Sequence, residues 1–275
     1  MGEGFGMAKE EEEKPAGRRM AAFPFLKHPS AADIRGKRRL HKALDAPVRP
    51  YDFLVVLDFE WTCDNKKPIR PPEIIEFPSV LVEGKYPFRV LGEVQIYVKP
   101  SINATLSALC TELTGITQAT IDREGVPPRE ALELYEAWLR SHGLLLPAGA
   151  QGGRSRFVIV TWGDSDIGGV LGRECAHKGL GQVPEYFRSW VNLKDRFRQH
   201  FKREAKGGLQ HVVESLGFTF EGRAHSGLVD SRNTAKIVVK MLQEGHRFLR
   251  PTRGLAADGS AYGSSKKPKK EKPAA

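Results

Sequence analysis

The sequence has few cysteines and no long hydrophobic run. Its 275 residues include three cysteines, Cys63, Cys110 and Cys175, too few and too scattered for a disulfide framework or a cysteine-rich zinc site. A reducing compartment is therefore expected, in the cytoplasm or nucleus. The longest apolar runs, 53–57 and 157–160, are far shorter than the roughly 18 residues of a membrane span. No apolar segment typical of a secretory signal follows the first methionine.

Acidic residues are outnumbered by basic ones, 33 to 43, and the net charge is +10. Most of the excess lies at the ends, because residues 1–50 hold 11 basic and 7 acidic residues, and residues 251–275 hold 6 and 2. A positive net charge favours a polyanionic partner such as nucleic acid. The alternative is that the charged ends of the chain only increase its solubility.

Composition divides the chain into three parts. Residues 1–48 are predicted to be a flexible leader, with an acidic run at 10–13 and a basic cluster at 35–39. The glutamates disfavour an organelle transit peptide, although the nearly acid-free stretch after Met20 leaves organelle import open. A folded domain is predicted over 49–250. Residues 251–275 are predicted to be a disordered basic tail whose lysines resemble a nuclear-import signal or are simply solvated.

The middle part alternates between strand-like and helix-like patterns. Short apolar runs predict five strands, at 53–57, 74–82, 90–98, 157–160 and 190–193. Helical spacing predicts helices over 130–141, after Asp166, and over 228–242. Three strands followed by alternating helix and strand predict an α/β domain with a central mixed five-stranded sheet flanked by helices.

Two acidic residues directly follow the first predicted strand. Asp58 and Glu60 are two positions apart, so on an extended chain both carboxylates project to one side while Phe59 points to the other. Two anions at the end of a buried strand repel each other, and a bound divalent cation would remove that cost. The alternative is a strand that simply ends in water.

Further acids stand at predicted helix starts. Asp166 follows the fourth strand, where N-capping explains it equally well, and Asp164 competes with it. His225 precedes the last helix, with Ser226 as a plausible N-cap and Asp230 in the first turn. Hard oxygen ligands from several segments suit two Mg²⁺ ions, with Mn²⁺ as a substitute, acting on a phosphodiester. A neutral imidazole nearby could take a proton from the attacking water.

These residues resemble the three motifs of the DEDDh 3′–5′ exonucleases, which have an RNase H-like fold. Longer stretches resemble the enhanced-RNAi exoribonuclease branch of that family, which contains the histone mRNA 3′-end exonuclease and its plant relatives. The resemblance covers about residues 50–248. It rests on four stretches, 57–63 (LDFEWTC), 72–78 (PEIIEFP), 110–118 (CTELTGITQ) and 222–228 (GRAHSGL).

The resemblance implies a role for each candidate residue. Asp58 would bridge both metal ions, and Glu60 and Asp230 would hold the ion that activates water. Asp166 would support the other ion, and His225 would be the general base. Contacts to the terminal nucleotide are implied for the loop residues Leu113, Thr114 and Ile116, and for backbone groups of Phe59 and Trp61. Trp162 is a candidate to replace a stacking aromatic residue that relatives have.

The family pattern also bears on the terminal base. It places a threonine, Trp-Gly, two residues and then the acid, so counting from Thr161 selects Asp166 over Asp164. Relatives often have tryptophan where this chain has Ser165 and phenylalanine where it has Leu109. Because one base–aromatic stack is worth about 1–3 kcal/mol, we expect weaker or rearranged stacking here.

The resemblance implies a Mg²⁺-dependent 3′–5′ exoribonuclease that removes 5′-mononucleotides from single-stranded or short overhanging RNA 3′ ends, in rRNA or small-RNA processing or turnover. A DNA-directed exonuclease and a non-catalytic RNA-binding adaptor on the same fold remain as alternatives. The basic segment 194–206 either binds phosphates or forms the solvated face of an amphipathic helix. No membrane association is expected, and the sequence identifies no protein partner.

Overall fold

The computed structural model describes residues 51–66, 69–146, 156–255 and 261–262. The predicted leader and most of the predicted tail lie outside these residues. The five predicted strands are present as Phe53–Leu57 (β1), Ile74–Glu83 (β3), Val90–Tyr97 (β4), Phe157–Thr161 (β5) and Ser189–Asn192 (β6). Three short strands join them: Glu60–Trp61 (β2), Arg253–Leu255 (β7) and Ala261–Tyr262 (β8). The described sheet thus has eight strands rather than five, because strands of two or three residues show no alternation in sequence.

The strand order β4–β3–β1–β5–β6 places β1 in the middle of the sheet. β3 is antiparallel to β4 and β1, whereas β1, β5 and β6 are parallel to one another. This confirms the mixed sheet, in which β3 and β4 are consecutive antiparallel strands. Leu57 pairs with Thr161, and Thr161 pairs with Asn192, so three strands end at one edge. Ligand sites of open α/β sheets lie at such edges.

Helices pack against both faces of the sheet. They are Ala108–Thr114 (α1), Gln118–Glu124 (α2), Pro128–Ser141 (α3), Gly172–His177 (α4), Leu193–Phe201 (α5), Leu209–Ser215 (α6) and Gly227–Gln243 (α7). Along β1, Leu54 and Val56 pack in the core that contains α7, and Val55 and Leu57 pack in the core that contains α3. β1 is therefore buried on both faces, which explains its continuous apolar sequence.

The helix predicted after Asp166 is wound more widely at its start. Residues Ser165–Leu171 form a π-helical turn that continues as α4. Four apolar residues at helical spacing in this stretch are buried: Ile167, Val170, Leu171 and Cys175. The adjacent Gly168 and Gly169 favour a regular α-helix poorly. Such wide turns are rare and frequently occur at functional sites.

The folded domain continues past the predicted boundary at residue 250. β7 is antiparallel to β6 and pairs Arg253 with Trp190. The Thr252 N–H also donates to the Trp190 carbonyl at 2.9 Å. The prediction that a disordered tail begins at 251 is therefore wrong for 251–255, a segment too short to show hydrophobic periodicity. Within the described ranges, no helix is long and apolar enough to cross a membrane.

Candidate active site

The first two acids follow β1 at the edge where the three parallel strands end. Phe59, between them, is 1% exposed, and its ring centroid lies 4.5 Å from that of Phe77. Glu60 begins β2 and pairs with Glu76 of β3. Because alternate residues of an extended chain face opposite ways, the buried Phe59 leaves Asp58 and Glu60 on the other side. Their charges interact, as Glu60 raises the pKa of Asp58.

Asp166 lies beside Asp58. Its Oδ1 accepts a hydrogen bond from the Phe59 N–H at 2.9 Å, and its carboxyl group is hydrogen-bonded to that of Asp58. Asp164, the local competitor, points elsewhere and forms an ion pair with Arg253 at 3.0 Å. The structure therefore brings Asp166 into the cluster of acids and ties Asp164 to a different partner.

The third segment brings Asp230 and His225 to the same site. Asp230 lies in the first turn of α7, and its Oδ2 accepts a hydrogen bond from the His225 N–H at 3.0 Å. The Oδ1 atom of Asp230 is buried and has no hydrogen-bond partner in the described residues. His225 has a φ of 63° and an exposed side chain. Positive φ is uncommon for residues other than glycine, and the contact with Asp230 holds it here.

Glu76 holds the start of α7, a role that the sequence patterns did not reveal. Its carboxylate accepts hydrogen bonds from the Gly227 N–H at 2.9 Å and the Leu228 N–H at 3.1 Å, and from Gln95 Nε2 at 2.8 Å. Ser226 occupies the N-cap position, but its side chain makes no capping hydrogen bond. The predicted cap is therefore wrong, because a carboxylate on β3 binds the free N–H groups instead. An acid among the apolar residues that begin β3 was the available signal.

Gly227 lets α7 approach the acids closely. A Cβ atom at this position would lie 2.5 Å from the carbonyl oxygen of Asp58 and 2.9 Å from Cγ of Pro78. These contacts are too short for any side chain, and one of them is to backbone. The start of α7 therefore packs directly on the backbone of Asp58, and this brings Asp230 to the cluster.

The four carboxyl groups are electrostatically coupled. The pKa of Asp58 is raised well above its usual range. Burial is the largest cause, and the charges of the other three acids raise it further. Burial, followed by the charge of Glu76, raises the pKa of Glu60 to about 9. Burial also raises the pKa of Asp166 and of Asp230 to about 6, although backbone hydrogen bonds act to lower both. Negative charge is therefore costly here, and a bound cation would relieve that cost.

The donor set fits a hard divalent cation. The cluster offers carboxylate oxygens, the ligands that Mg²⁺ and Mn²⁺ prefer. Oδ1 of Asp230 is a buried acceptor that a cation would satisfy. In the described part of the chain, no three ligand-type side chains are already spaced to hold a metal ion. The acids would therefore have to turn toward a shared ion when it binds.

The end of α1 and the loop after it turn most of their predicted contact residues inward. Thr114 and Ile116 are 3% and 4% exposed. Oγ1 of Thr114 donates to the Cys110 carbonyl at 2.8 Å and accepts from the Ile116 N–H at 3.1 Å. Leu113 is 38% exposed. Of the three predicted contact residues here, Leu113 alone presents its side chain to solvent, and the other two could reach a nucleotide through their backbone.

The remaining predicted contact residues lie near strand ends. Trp61 is partly buried, and its carbonyl faces α1. Trp162 follows β5, and its ring centroid lies 6.5 Å from that of Phe197 and 5.3 Å from Nζ of Lys194. Phe59 has its side chain in the core and its N–H bound, so its carbonyl is the group left for a substrate contact.

Comparison with known proteins agrees with this geometry. The RNase_T exonuclease family matches residues 55–238. The 3′–5′ exonuclease Snipper of Drosophila melanogaster is 36% identical over 221 residues, 77% of this chain and 76% of that protein. ERI1 exoribonuclease 2 of Danio rerio is 40% identical over 202 residues, which is 71% of this chain but 36% of the length of that relative.

Solved structures give the same result. A 3′-exonuclease that specifically recognises the 3′ end of the histone mRNA stem-loop is 31% identical with a TM-score of 0.68, covering 77% of this chain and 89% of that one. The nuclease domain of 3′hExo, a DEDDh family member bound to rAMP, is 32% identical with a TM-score of 0.66, covering 74% and 98%.

The sheet order and the cluster of acids at the strand ends define an exonuclease domain of RNase H-like fold. The chain belongs to the RNase_T exonuclease family, in the DEDDh branch of the ERI1 exoribonucleases and the histone mRNA 3′-exonuclease. The fold and the family that the motifs implied are thus confirmed.

Proposed function

We propose that this chain is a Mg²⁺-dependent 3′–5′ exoribonuclease that removes 5′-mononucleotides from RNA 3′ ends, with Mn²⁺ as a substitute. The observation that carries the proposal is the meeting of four carboxyl groups from three separate segments at one sheet edge. They are Asp58, Glu60, Asp166 and Asp230. The names of the ERI1 exoribonucleases and the rAMP-bound 3′hExo support RNA as the substrate.

Each acid has a proposed part. Asp58 would contact both ions, because it interacts electrostatically with all three other acids, each of which raises its pKa. Glu60 and Asp230 would hold the ion next to the attacking water, and Asp166 would support the other ion. When bound, two such ions activate the water and stabilise the leaving oxygen in displacement at phosphorus.

His225 is the proposed general base. Its backbone N–H is bound to Asp230, its side chain is exposed, and its charge acts on Asp230 of the cluster. There the imidazole would take the proton of the attacking water. His225→Ala should lose at least about a hundredfold in turnover at neutral pH. It should still be stabilised by Mg²⁺ in thermal unfolding. An unchanged rate would remove this role from His225.

The decisive test follows a 5′-labelled RNA in the presence of Mg²⁺. The wild type should shorten the RNA stepwise from its 3′ end and release nucleoside 5′-monophosphates. Asp58→Asn should abolish this trimming. Asp122→Asn makes the same change at an exposed position of α2 and should not. Equal trimming by the Asp58 variant would refute the proposal.

DNA is the alternative substrate, because Snipper, which aligns over most of both chains, is named an exonuclease without reference to RNA. Metal ions and acids act on phosphates that both polymers share, and contacts to the 2′-hydroxyl distinguish RNA. Rates on matched RNA and DNA oligonucleotides decide between them. RNA binding without Mg²⁺-dependent release would instead indicate a non-catalytic adaptor.

We further propose that the activity serves rRNA or small-RNA 3′-end processing or turnover, in the cytoplasm or nucleus. The histone mRNA stem-loop is the RNA that one structural relative recognises. Sequencing RNA 3′ ends in cells that lack the protein should show which RNAs become longer.

A further inference from the structure

The C-terminal strand β7 is tied to the loop that carries Asp166. The Arg253 side chain is 20% exposed, its Nε lies 3.0 Å from Oδ2 of Asp164, and its Nη2 lies 2.8 Å from Oδ2 of Asp195. Asp164 also accepts a hydrogen bond from Nε1 of Trp190 at 3.2 Å. One guanidinium group thus joins β7 to the loop after β5 and to the first turn of α5.

Asp164 stands directly before the π-helical turn. Its carbonyl accepts a hydrogen bond from the Gly168 N–H at 3.1 Å, but its side chain does not cap the turn. Two residues later, Asp166 contacts Asp58 and accepts the Phe59 N–H. Because two glycines lie in this turn, its own sequence holds it weakly, and contacts from outside contribute more to its position.

We infer that Arg253 is a positioning residue of the nuclease, which sets Asp166 in place through Asp164. Arg253 lies outside residues 55–238, the segment that matches the family. Arginine suits this task because a planar guanidinium group binds two carboxylates at once, whereas lysine offers a single point charge. The inference rests on the proposed function, since Asp166 belongs to the proposed metal site.

The test compares Arg253→Gln and Arg253→Lys in the full chain, with Arg250→Gln as a control at an exposed position of the same segment. We expect Arg253→Gln to lower kcat by about tenfold or more while KM changes by less than about twofold, because Asp166 is misplaced and RNA binding is kept. Arg253→Lys should recover part of the loss. Arg250→Gln should behave like the wild type.

Hydrogen exchange in the metal-free protein gives a readout that does not depend on activity. The Phe59 amide, which is bound to Asp166, and the amides of 165–171 should exchange faster in Arg253→Gln. Asp164→Asn weakens the same ion pair from the other side and should show the same change. The effects of the two substitutions should not add in the double variant.

Two negative outcomes are distinguishable. If Arg253→Gln and Asp164→Asn lower only the thermal midpoint and leave kcat and Phe59 exchange unchanged, Arg253 serves the strand alone and the inference is overturned. If the wild type releases no mononucleotides, the proposed function fails. In that case faster Phe59 exchange would still support the positioning of Asp166 by Arg253, and unchanged exchange would overturn it.

Discussion

Glu76 is a buried anion beside other anions, and its hydrogen bonds explain why it is there. It is 1% exposed, accepts the first two N–H groups of α7, and raises the pKa of Glu60. Charge-assisted hydrogen bonds contribute about 1.5–3 kcal/mol, and relief of repulsion offsets part of their loss. We expect Glu76→Gln to cost about 1–2 kcal/mol in the free energy of unfolding.

The same substitution should lower activity by about tenfold or more, because α7 carries Asp230 and follows His225. Chemical denaturation and RNA trimming measure the two effects. Glu83→Gln, on the same strand but in a surface pair with Arg89, is the matched control. A Glu76 variant as active as that control would show that the cap does not support the site.

The buried His246 should make the free energy of unfolding fall at acidic pH. The pKa of His246 is lowered to about 4. Burial is the largest cause, and the positive charges of His200 and Arg196 lower it further. A lowered folded pKa means that the unfolded chain takes up the proton first, so stability is lost as the pH falls from about 6.5 to 4. His246→Phe keeps the ring contact with Phe248 and removes the titration.

Between pH 7 and 4.5 the wild type should therefore lose about 2 kcal/mol more than His246→Phe. Urea unfolding at both pH values measures this difference. Parallel losses in the two proteins would mean that this imidazole does not titrate differently on folding.

A buried ion triad joins α4 to the residue before β3. Nζ of Lys178, after α4, lies 2.8 Å from Glu73 and 2.7 Å from Glu174, and the three side chains are 7%, 0% and 3% exposed. Burial acts to raise the pKa of Glu73, but the bonds from Lys178 and from backbone N–H groups of 101–103 lower it to about 2. Glu174 also binds the N–H of Ile74, at the start of β3.

Lys178→Met should therefore leave two buried carboxylates without their cation and cost about 3–5 kcal/mol. Arg140→Met breaks the exposed pair with Glu136 on α3 and should cost less than about 1 kcal/mol. Chemical denaturation of both variants checks the contrast. Similar small losses would show that the triad adds little to stability.

For the whole molecule, the coupled acids predict stabilisation by divalent cations. A ligand at tenfold excess over its Kd that binds only the folded state adds about 1.4 kcal/mol. For a domain of this size that corresponds to a rise of about 3–6 °C in Tm. Mg²⁺ should produce this shift in the wild type and in Asp122→Asn but not in Asp58→Asn. A shift of equal size in Asp58→Asn would place the ion elsewhere.

Much of the fold was predictable because its longer strands and helices have hydrophobic patterns that are visible within a few consecutive residues. β1 is an unbroken apolar run, and the inward residues of α7 recur at helical spacing, so both elements were expected where they occur. β7 was missed because a strand of three residues, Arg253–Leu255, is too short to show an alternating pattern. The cap of α7 was assigned to Ser226 because a local pattern cannot show a carboxylate from a distant strand.

By itself, the sequence determined the five longer strands and three of the helices, and that acids stand directly after β1 and near two helix starts. These features depend on neighbours a few residues apart, where backbone geometry sets the pattern. Tertiary structure alone decided which acids meet. The contact of Phe59 with Asp166 spans 107 residues and that of Glu76 with Gly227 spans 151. Strand order and close packing at Gly227 create these contacts, and no local spacing encodes them.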